Sequence, residues 1–460
     1  MSSGHDSDPP EEADGEIVLP STTARTLQLP ASRDRTRAFL PQLALRVVAG
    51  PDSGALHQAG QDRVVIGVHP KADFVLTDRT VSRFHCELAV AGDRVTVRDL
   101  GSGNGTLVNG VAILSAYLSP GARLTLGNTE IELGVGGDPL ALELSKDSRF
   151  GSMIGESTAM RAAFALLARA AETDATLLLT GETGTGKEVA AESVHQLGAR
   201  RAGPFVIVDC GAIPGRLMES ELFGHERGAF TGAVSAREGA FEAAHGGTIF
   251  LDEVGELEGE MQPKLLRVLE RRHVKRVGGT QYRPVDVRVI AATHRNLQSD
   301  VNVRRFRADL YYRLAVLEVR LPALRERRED LPLLVEHILA GLGASSRPEA
   351  HSLRTEACRV GLARHPWPGN VRELRNYVER ALALADFRAP SSDAAELAPT
   401  APGPGSTDLR TARESMMRDF ERKYLEGLLA DSGGNVSAAA RAAGVDRKYF
   451  YRLLWRAGLR

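Results

Sequence analysis

The stretch Thr176-Leu177-Leu178-Leu179-Thr180-Gly181-Glu182-Thr183-Gly184-Thr185-Gly186-Lys187 decides how the middle of this 460-residue chain is read. Three leucines between threonines make a short apolar strand. Gly181 to Lys187 then fits the spacing GxxxxGK. Glycines let the loop turn tightly, so that its N–H groups face a phosphate, and a following helix adds its positive end. Lys187 brings a point charge to the β- and γ-phosphates of ATP. The next residue is Glu188, where the general motif has Ser or Thr. A hydroxyl ligand to Mg²⁺ is therefore absent, and Glu188 borders the nucleotide without being assigned as a ligand. A glycine-rich turn with a surface lysine is the competing reading, and it leaves the strand before the loop unexplained.

On either side of this loop, apolar runs alternate with helical patterns. RAAFALLARAA (161–171) reads as a helix, while FVIVDC (205–210), GTIFLDE (247–253) and DVRVIAAT (286–293) read as strands. Short apolar runs between helices predict a covered parallel sheet. Asp252 and Glu253 emerge at a strand end, where ligands gather in open α/β sheets. Asp252 is assigned to Mg²⁺, directly or through water, and Glu253 to polarising the attacking water. Thr293 ends the third strand, either sensing the γ-phosphate or serving as a structural hydroxyl. His294 beside it reads as structural or peripheral. From about 328 the pattern is mostly helical.

The remaining segments frame this core. Residues 1–41 are acidic and polar and read as a disordered arm. Residues 42–136 carry short strands such as LALRVV, RVVIGV, DFVL, HCELAV, RVTVRD, GTLVNG and IELGV between Gly, Asp, Pro and Asn turns, the spacing of a β-sandwich. Residues 137–150 read as a linker, 151–327 as the α/β core, 328–387 as a helical lid and 388–415 as a Pro/Ser/Ala linker. Residues 416–460 read as all-helical. Cys86, Cys210 and Cys358 are too scattered for a zinc site or a disulfide framework. The net charge of −1 argues against a chain that coats nucleic acid throughout, and leaves room for a local DNA-binding module. There is no signal-peptide pattern at the start and no apolar run of the ~20 residues a membrane helix needs. The expectation is a cytoplasmic protein that does not engage a membrane.

Residues 221–233 read ELFGHERGAFTGA. Here the chain resembles the AAA+ activators that act on RNA polymerase carrying sigma-54, over about 151–460. The resemblance implies that Gly228-Ala229-Phe230-Thr231-Gly232-Ala233 forms a loop that touches sigma-54 when ATP is bound. Phe230 is then an exposed aromatic between small residues. In FRADLYYRL (306–314), Arg307 and Arg313 sit where the family places arginines for the neighbouring subunit's nucleotide. In WPGNVRELRN (367–376), Arg372 matches the arginine that reports nucleotide state from the lid. The implied assembly is a ring, a hexamer built from dimers. At 209 this chain has Asp where the family commonly has an Asn that restrains the catalytic glutamate. An Asp there repels an ionised Glu253.

Residues 435–460 carry six Arg and Lys against one acid. The alanine-rich helix before Gly444 permits close crossing by a second helix capped at Asp446, the shape of a helix-turn-helix. This end resembles the Fis-type domain of many sigma-54 activators. Arg447, Lys448, Tyr451 and Arg452 are the candidates for base and phosphate contact. The preceding FERKYLEGLLADSGG has an apolar stripe suited to dimer packing.

Within 42–136, Ile66-Gly67, Ser82-Arg83-Phe84-His85, Gly101 to Thr106 and Asn109-Gly110 resemble a forkhead-associated domain, a phosphothreonine reader. The resemblance implies that Ser82 faces the phosphate, that Asn104 faces the peptide backbone and that His85 steadies the loops. Arg83 is a further candidate phosphopeptide contact. Val68 stands where that family has Arg, with Lys71 or Arg83 as substitutes. A phosphate-independent protein contact and a structural lid over the ATPase are the other readings of this domain. A threonine-kinase signal is the expected input.

Three other functions fit part of the pattern. A chaperone-like AAA+ remodeller and a Mg-chelatase-like motor explain the phosphate loop and leave GAFTGA unexplained. A non-enzymatic DNA-bound repressor scaffold requires that loss of Glu253 leave regulation intact.

Overall fold

Five parallel strands organise the centre of the molecule, in the order Phe205–Asp209, Thr248–Asp252, Arg288–Thr293, Leu177–Thr180 and Leu317–Arg320. The strand leading into the phosphate loop is hydrogen-bonded on both sides, with Thr180 opposite Thr293 and opposite Arg320. Leu177, Leu178, Leu179, Phe250, Leu251, Ile290 and Ala291 are fully buried, which is why these strands read as unbroken apolar runs. The helix Thr158–Ala171 covers one face with Met160, Ala163, Phe164, Leu167 and Ala170, spaced three and four apart. Its first turn is capped by Ser157, whose hydroxyl accepts from the Met160 N–H at 3.3 Å. The strand Leu317–Arg320 was not among the four expected.

The computed structural model describes residues 37–40, 42–59, 63–91, 94–135, 140–385 and 387, with Leu425, Val436, Ala439, Ala440 and Leu454 beyond them. After the sheet come the helices Leu331–Gly341, Pro348–Arg354, Glu356–Arg364 and Asn370–Leu384, packed around the fully buried Trp367. The indole Nε1 donates to the Leu362 carbonyl at 2.8 Å, so burial leaves no unpaired donor on that ring.

The N-terminal strands form two sheets. One orders Ser115–Leu118, Arg94–Asp99, Cys86–Ala91, Arg63–Gly67 and Phe74–Val75. The other orders Leu56–Gln58, Leu43–Ala49, Thr129–Val135, Arg123–Leu126, Thr106–Val108 and Val111–Ile113. Their inward residues, among them Leu45, Ile66, Leu88, Val97, Leu124 and Ile131, share one core. Two expectations are corrected here. Residues 37–40 were read as part of a disordered arm, yet they form a strand antiparallel to Leu140–Glu143, itself within the expected linker. Backbone pairing across about a hundred residues supplies what neither short segment signals locally.

The sandwich meets the α/β core through Phe84, which is fully buried against Tyr311 and Tyr312, with ring centroids 5.9 and 6.3 Å away. The Asn302 amide donates to the carbonyls of Phe84 and, at 2.9 Å, of Leu100, and its oxygen accepts from the Phe84 N–H at 3.3 Å.

In the C-terminal unit, Leu425, Val436, Ala439, Ala440 and Leu454 are helical and buried. Among the described residues, no helix is long and apolar enough to cross a membrane.

Candidate nucleotide site and remodelling loop

The strand ends converge at the phosphate loop. The helix Lys187–Leu197 starts on Gly186, at φ 104°, with no side-chain cap. Its first-turn N–H groups therefore remain available to an anion. Lys187 is only 7% exposed, and its ammonium donates to the carbonyls of Gly181 at 3.0 Å and Glu182 at 3.4 Å. The same ammonium lies 3.5 Å from Glu253 Oε1. Thr185 is buried and its hydroxyl closes the loop on the Glu182 carbonyl at 2.8 Å, while Thr183 and Glu188 face solvent.

The lid clips directly onto this loop. Gly184 has φ 80°, and a Cβ there would lie 2.3 Å from the Gly369 carbonyl, so the close approach admits only glycine. The Val371 N–H donates to the Gly184 carbonyl at 3.0 Å, and the Arg372 Cβ lies against the same turn. Asn370, which sequence reasoning did not single out, is fully buried at φ 53°. Its amide donates to the Thr183 carbonyl at 3.0 Å and to Glu182 at 3.1 Å, while its oxygen accepts from the Leu324 N–H at 2.7 Å. The only sequence signal for it is its place after Pro368-Gly369.

Asp252 and Glu253 sit side by side with different environments. Burial and the neighbouring Glu253 push the Asp252 carboxyl upward. A carboxylate of that kind favours a nearby cation, and it fits a divalent metal held beside the phosphate loop. For Glu253, burial acts upward, but hydrogen bonds from His294 and the charge of Lys187 outweigh it and lower its pKa. Glu253 Oε2 accepts from the His294 ring Nδ1 at 2.7 Å and from the His294 N–H at 3.1 Å. His294 is thus in direct contact with Glu253. Thr293 is fully buried at its strand end, and its hydroxyl accepts from the Arg295 N–H at 3.0 Å. Asp209 turns onto its own loop, accepting from Gly211 at 2.9 Å and Ala212 at 3.0 Å.

Arg307 and Arg313 are not drawn into this chain's own phosphate loop. Arg307 pairs with Asp309 at 2.7 Å, and Arg313 donates to the Leu269 carbonyl at 3.1 and 3.3 Å.

The GAFTGA segment is a tight double turn. Gly228 donates to the Ala233 carbonyl at 2.9 Å and Ala233 to the Phe230 carbonyl at 3.0 Å. Gly228 and Gly232 take φ of 80° and 103°. Ala229 packs near Gly278, and Ala233 is buried. Phe230 stays 40% exposed, and Thr231 is exposed beside it. The Phe230 ring rests edge-on against His225 at 5.1 Å, and His225 is held by Ser220 at 2.7 Å. An exposed aromatic on a glycine-bounded turn is a contact surface for another protein.

The sequence carries the family with these features in place. The sigma-54 interaction domain family matches residues 153–320, and the AAA+ ATPase lid domain family matches 325–403. The chain belongs to the family of sigma-54-dependent AAA+ transcriptional regulators. It is 46% identical over 286 residues to the transcriptional regulatory protein GlrR of Escherichia coli, covering 62% of this chain and 63% of that one. It therefore spans less than two thirds of that relative's length. The response regulator protein PilR of Pseudomonas aeruginosa is 44% identical over 321 residues, covering 69% of this chain and 71% of that one. NtrX from Brucella abortus in complex with ATP matches at 37% identity and a TM-score of 0.49, over 68% of this chain and 70% of that one. Residues 46–135 match the family described as the inner membrane component of T3SS, cytoplasmic domain.

In that β-rich region the loops are held by buried polar groups. His85 is fully buried, and burial lowers its pKa and keeps the ring neutral. Its Nδ1 accepts from the Ser82 N–H at 3.1 Å, so Nε2 carries the proton toward the Gly105 carbonyl at 3.0 Å. Ser82 Oγ accepts from the Gly103 N–H at 2.9 Å, and the Asn104 amide donates to the Thr80 carbonyl at 2.7 Å. Arg83 is exposed. Lys71, one of two expected substitutes for the cation missing at Val68, lies over the Tyr312 ring at 4.7 Å, so in this arrangement it is engaged with the ATPase core. Arg447, Lys448, Tyr451 and Arg452 lie outside the described residues.

Proposed function

We propose that this chain is a DNA-bound ATPase that remodels RNA polymerase carrying sigma-54, so that promoters open and transcription is activated. The observation that carries this reading is the exposed Phe230-Thr231 pair on its glycine-bounded turn, in the same α/β core as Lys187 and Glu253. The loop N–H groups and Lys187 hold the phosphates of ATP. Glu253 orients and polarises water for attack on the γ-phosphate, giving ADP and phosphate. Arg307 and Arg313, whose present partners are Asp309 and a backbone carbonyl, serve the nucleotide of the neighbouring chain in a ring assembled from dimers. Asp252 would hold Mg²⁺, which neutralises phosphate charge when bound. Thr293 and Arg372 link the sheet and the lid to nucleotide state. Hydrolysis moves the Phe230 loop against sigma-54.

The other two regions supply address and input. The buried alanines Ala439 and Ala440 suit close helix crossing, in keeping with a Fis-type helix-turn-helix that reads paired upstream DNA through Arg447, Lys448, Tyr451 and Arg452. The β-sandwich acts as a forkhead-associated domain that takes a phosphothreonine protein through Ser82, Arg83 and Asn104, downstream of a Ser/Thr kinase. Its ordered Ser82–Gly103 and Asn104–Thr80 loops support that reading.

Full-length protein incubated with ATP, sigma-54 polymerase and a cognate promoter should hydrolyse ATP and produce open complexes detectable by permanganate footprinting. Phe230→Ala should keep hydrolysis and abolish open complexes. Open complexes undiminished in Phe230→Ala, or formed equally without ATP, would reject the motor reading in favour of a general remodeller or a passive scaffold.

A further inference from the structure

A carboxylate is an unexpected side chain for the second position of a phosphate loop, because it repels the phosphates of a nucleotide unless a cation neutralises it. Glu182 is neutralised from outside the loop. Arg325, in the turn Leu324–Glu326 between the last sheet strand and the lid, donates to both of its oxygens, at 2.5 and 2.7 Å, the forked geometry that suits a carboxylate. Those bonds lower the Glu182 pKa against the opposing effect of burial. The Arg325 turn is itself fixed. Glu326 accepts from the Ala323 N–H at 3.1 Å and from Arg320 at 2.7 Å. Asn370, the first residue of the lid helix, donates to Glu182 and accepts from the Leu324 N–H, so it joins the loop, the turn and the lid. Every residue from Glu182 to Thr185 is bonded to the turn or to the lid. Glu182 meets Arg325 and Asn370, Thr183 meets Asn370, Gly184 meets the Val371 N–H, and the Thr185 carbonyl accepts from the buried Arg327 at 3.1 Å.

Resting on the reading of Arg372 as the lid's nucleotide contact, we propose that Glu182 is a positioning residue which, through Arg325 and Asn370, seats the lid helix on the phosphate loop so that Arg372 meets the phosphates. Arg372 lies two residues beyond Asn370, in the first turn of that helix, with its Cβ against the Gly184 turn. A loop held from Glu182 to Thr185 keeps its N–H groups and the lid arginine in register, which lowers the ordering cost of binding. A charge that alone would oppose nucleotide thus favours it. The two side chains of the pair are 42% and 40% exposed, and an ion pair so open to water contributes little to folding. Removing it therefore acts on nucleotide affinity more than on the fold.

The test is fluorescence titration of the full-length chain with ADP carrying an N-methylanthraniloyl group on its ribose. Glu182→Ala should weaken binding by about threefold to tenfold, the range for one charge-assisted contact partly open to water. Arg325→Ala should weaken it further, since it leaves the carboxylate unneutralised beside the phosphates. Glu182→Gln keeps the shape and an acceptor for Asn370, and should fall between wild type and Glu182→Ala. The decisive readout is the combination with Arg372. Arg372→Ala should weaken binding by itself, and adding Glu182→Ala to it should weaken binding no further, because a positioning residue has no effect once the side chain it positions is gone. Additive losses, which a merely loosened loop would give, overturn the proposal. Unchanged or tighter binding in Glu182→Ala also overturns it, leaving the carboxylate as a repulsive charge and nothing more. Wild-type affinity in Arg372→Ala removes the reading of Arg372 and the proposal with it. Weakened binding in Arg372→Ala beside an unaltered Glu182→Ala removes the proposal alone.

Discussion

Two regions of this molecule are proposed to read phosphate, and they differ in where the cation is. In the ATPase core, Lys187 is nearly buried, anchored by two loop carbonyls and backed by an uncapped helix start. In the β-sandwich, the loops around Ser82 and Asn104 are fixed just as firmly by Asp78, His85 and Asp99, but among the described residues no buried cation joins them. Arg83 is exposed, Val68 is apolar and Lys71 is stacked on Tyr312. Pre-held charge strengthens a phosphate contact far more than exposed charge, which water screens. The core is therefore expected to bind phosphate by design of its fold. The sandwich is expected to depend on the few polar groups its loops present, and on whether the motor releases the surface around Phe84.

The largest effect should come from removing the pre-held charge. Lys187→Ala should lower ATP turnover by roughly 10²–10³-fold or more, since it deletes a phosphate donor from a preorganised site. Nucleotide binding by fluorescence titration should weaken with it. Near-normal turnover would mean that the helix start alone holds phosphate, and the contrast between the two regions would collapse.

Next comes the charge that this chain does not bring to its own site. Arg313→Ala should cost about 10²-fold in turnover. Mixing Arg313→Ala chains with Glu253→Gln chains should restore part of it, because a composite site then has Glu253 from one chain and Arg313 from the other. If the mixture stays as inactive as its components, Arg313 acts through its bond to Leu269 within its own chain, and the ring-interface role is lost.

A smaller effect is expected in the sandwich. Ser82→Ala in the full-length chain should weaken binding of a phosphothreonine peptide by about tenfold, the value of one hydrogen bond to a charged group. Calorimetry with phosphorylated and unphosphorylated peptides measures it. Equal binding of both peptides would turn the sandwich into a phosphate-independent contact surface. Asn302→Ala adds a second handle on the same region. It leaves the Phe84 and Leu100 carbonyls without their donor, and should tighten peptide binding if the motor competes for that surface.

Legibility followed the same divide. The three inner core strands were readable because they are buried on both faces, so their apolar runs end abruptly at Thr180, Asp252 and Thr293. Leu317–Arg320 escaped because Glu318 and Arg320 interrupt its apolar run, whereas the other edge strand, Phe205–Asp209, keeps four consecutive apolar residues although only Val208 is buried. The phosphate loop was readable because glycine spacing constrains a backbone locally, and GAFTGA because it resembles the loop of a known family. Asn370 and His294 were not, because each acts on a segment far away in sequence, Asn370 on the loop at 182–184 and His294 on Glu253. The pairing of Arg37–Leu40 with Leu140–Glu143 and the burial of Phe84 against Tyr311 are tertiary facts of the same kind. An Arg-Phe-His run carries no hint of which surface its phenylalanine will meet.

The smallest effect tests a parallel between the regions. Asp209 in the core accepts from the N–H groups two and three residues on, Gly211 and Ala212. Asp99 in the sandwich does the same with Gly101 and Ser102, at 2.8 and 2.9 Å. Both carboxylates are loop staples of the Asx type. An amide oxygen accepts the same two bonds, so Asp209→Asn preserves the turn. It also removes one of the negative charges that push Asp252 upward, behind burial and Glu253 in weight. Glu253 Oε2 already accepts twice from His294 and Oε1 faces Lys187, so the amide meets no unpartnered carboxylate oxygen while Lys187 stays in place. Asp209→Asn should therefore change kcat by less than about twofold, well below the Arg313→Ala effect. A larger drop in unstimulated turnover would mean that the substituted amide reaches Glu253 despite its loop bonds. A change within that limit would leave Asp209 as the loop staple that Asp99 is.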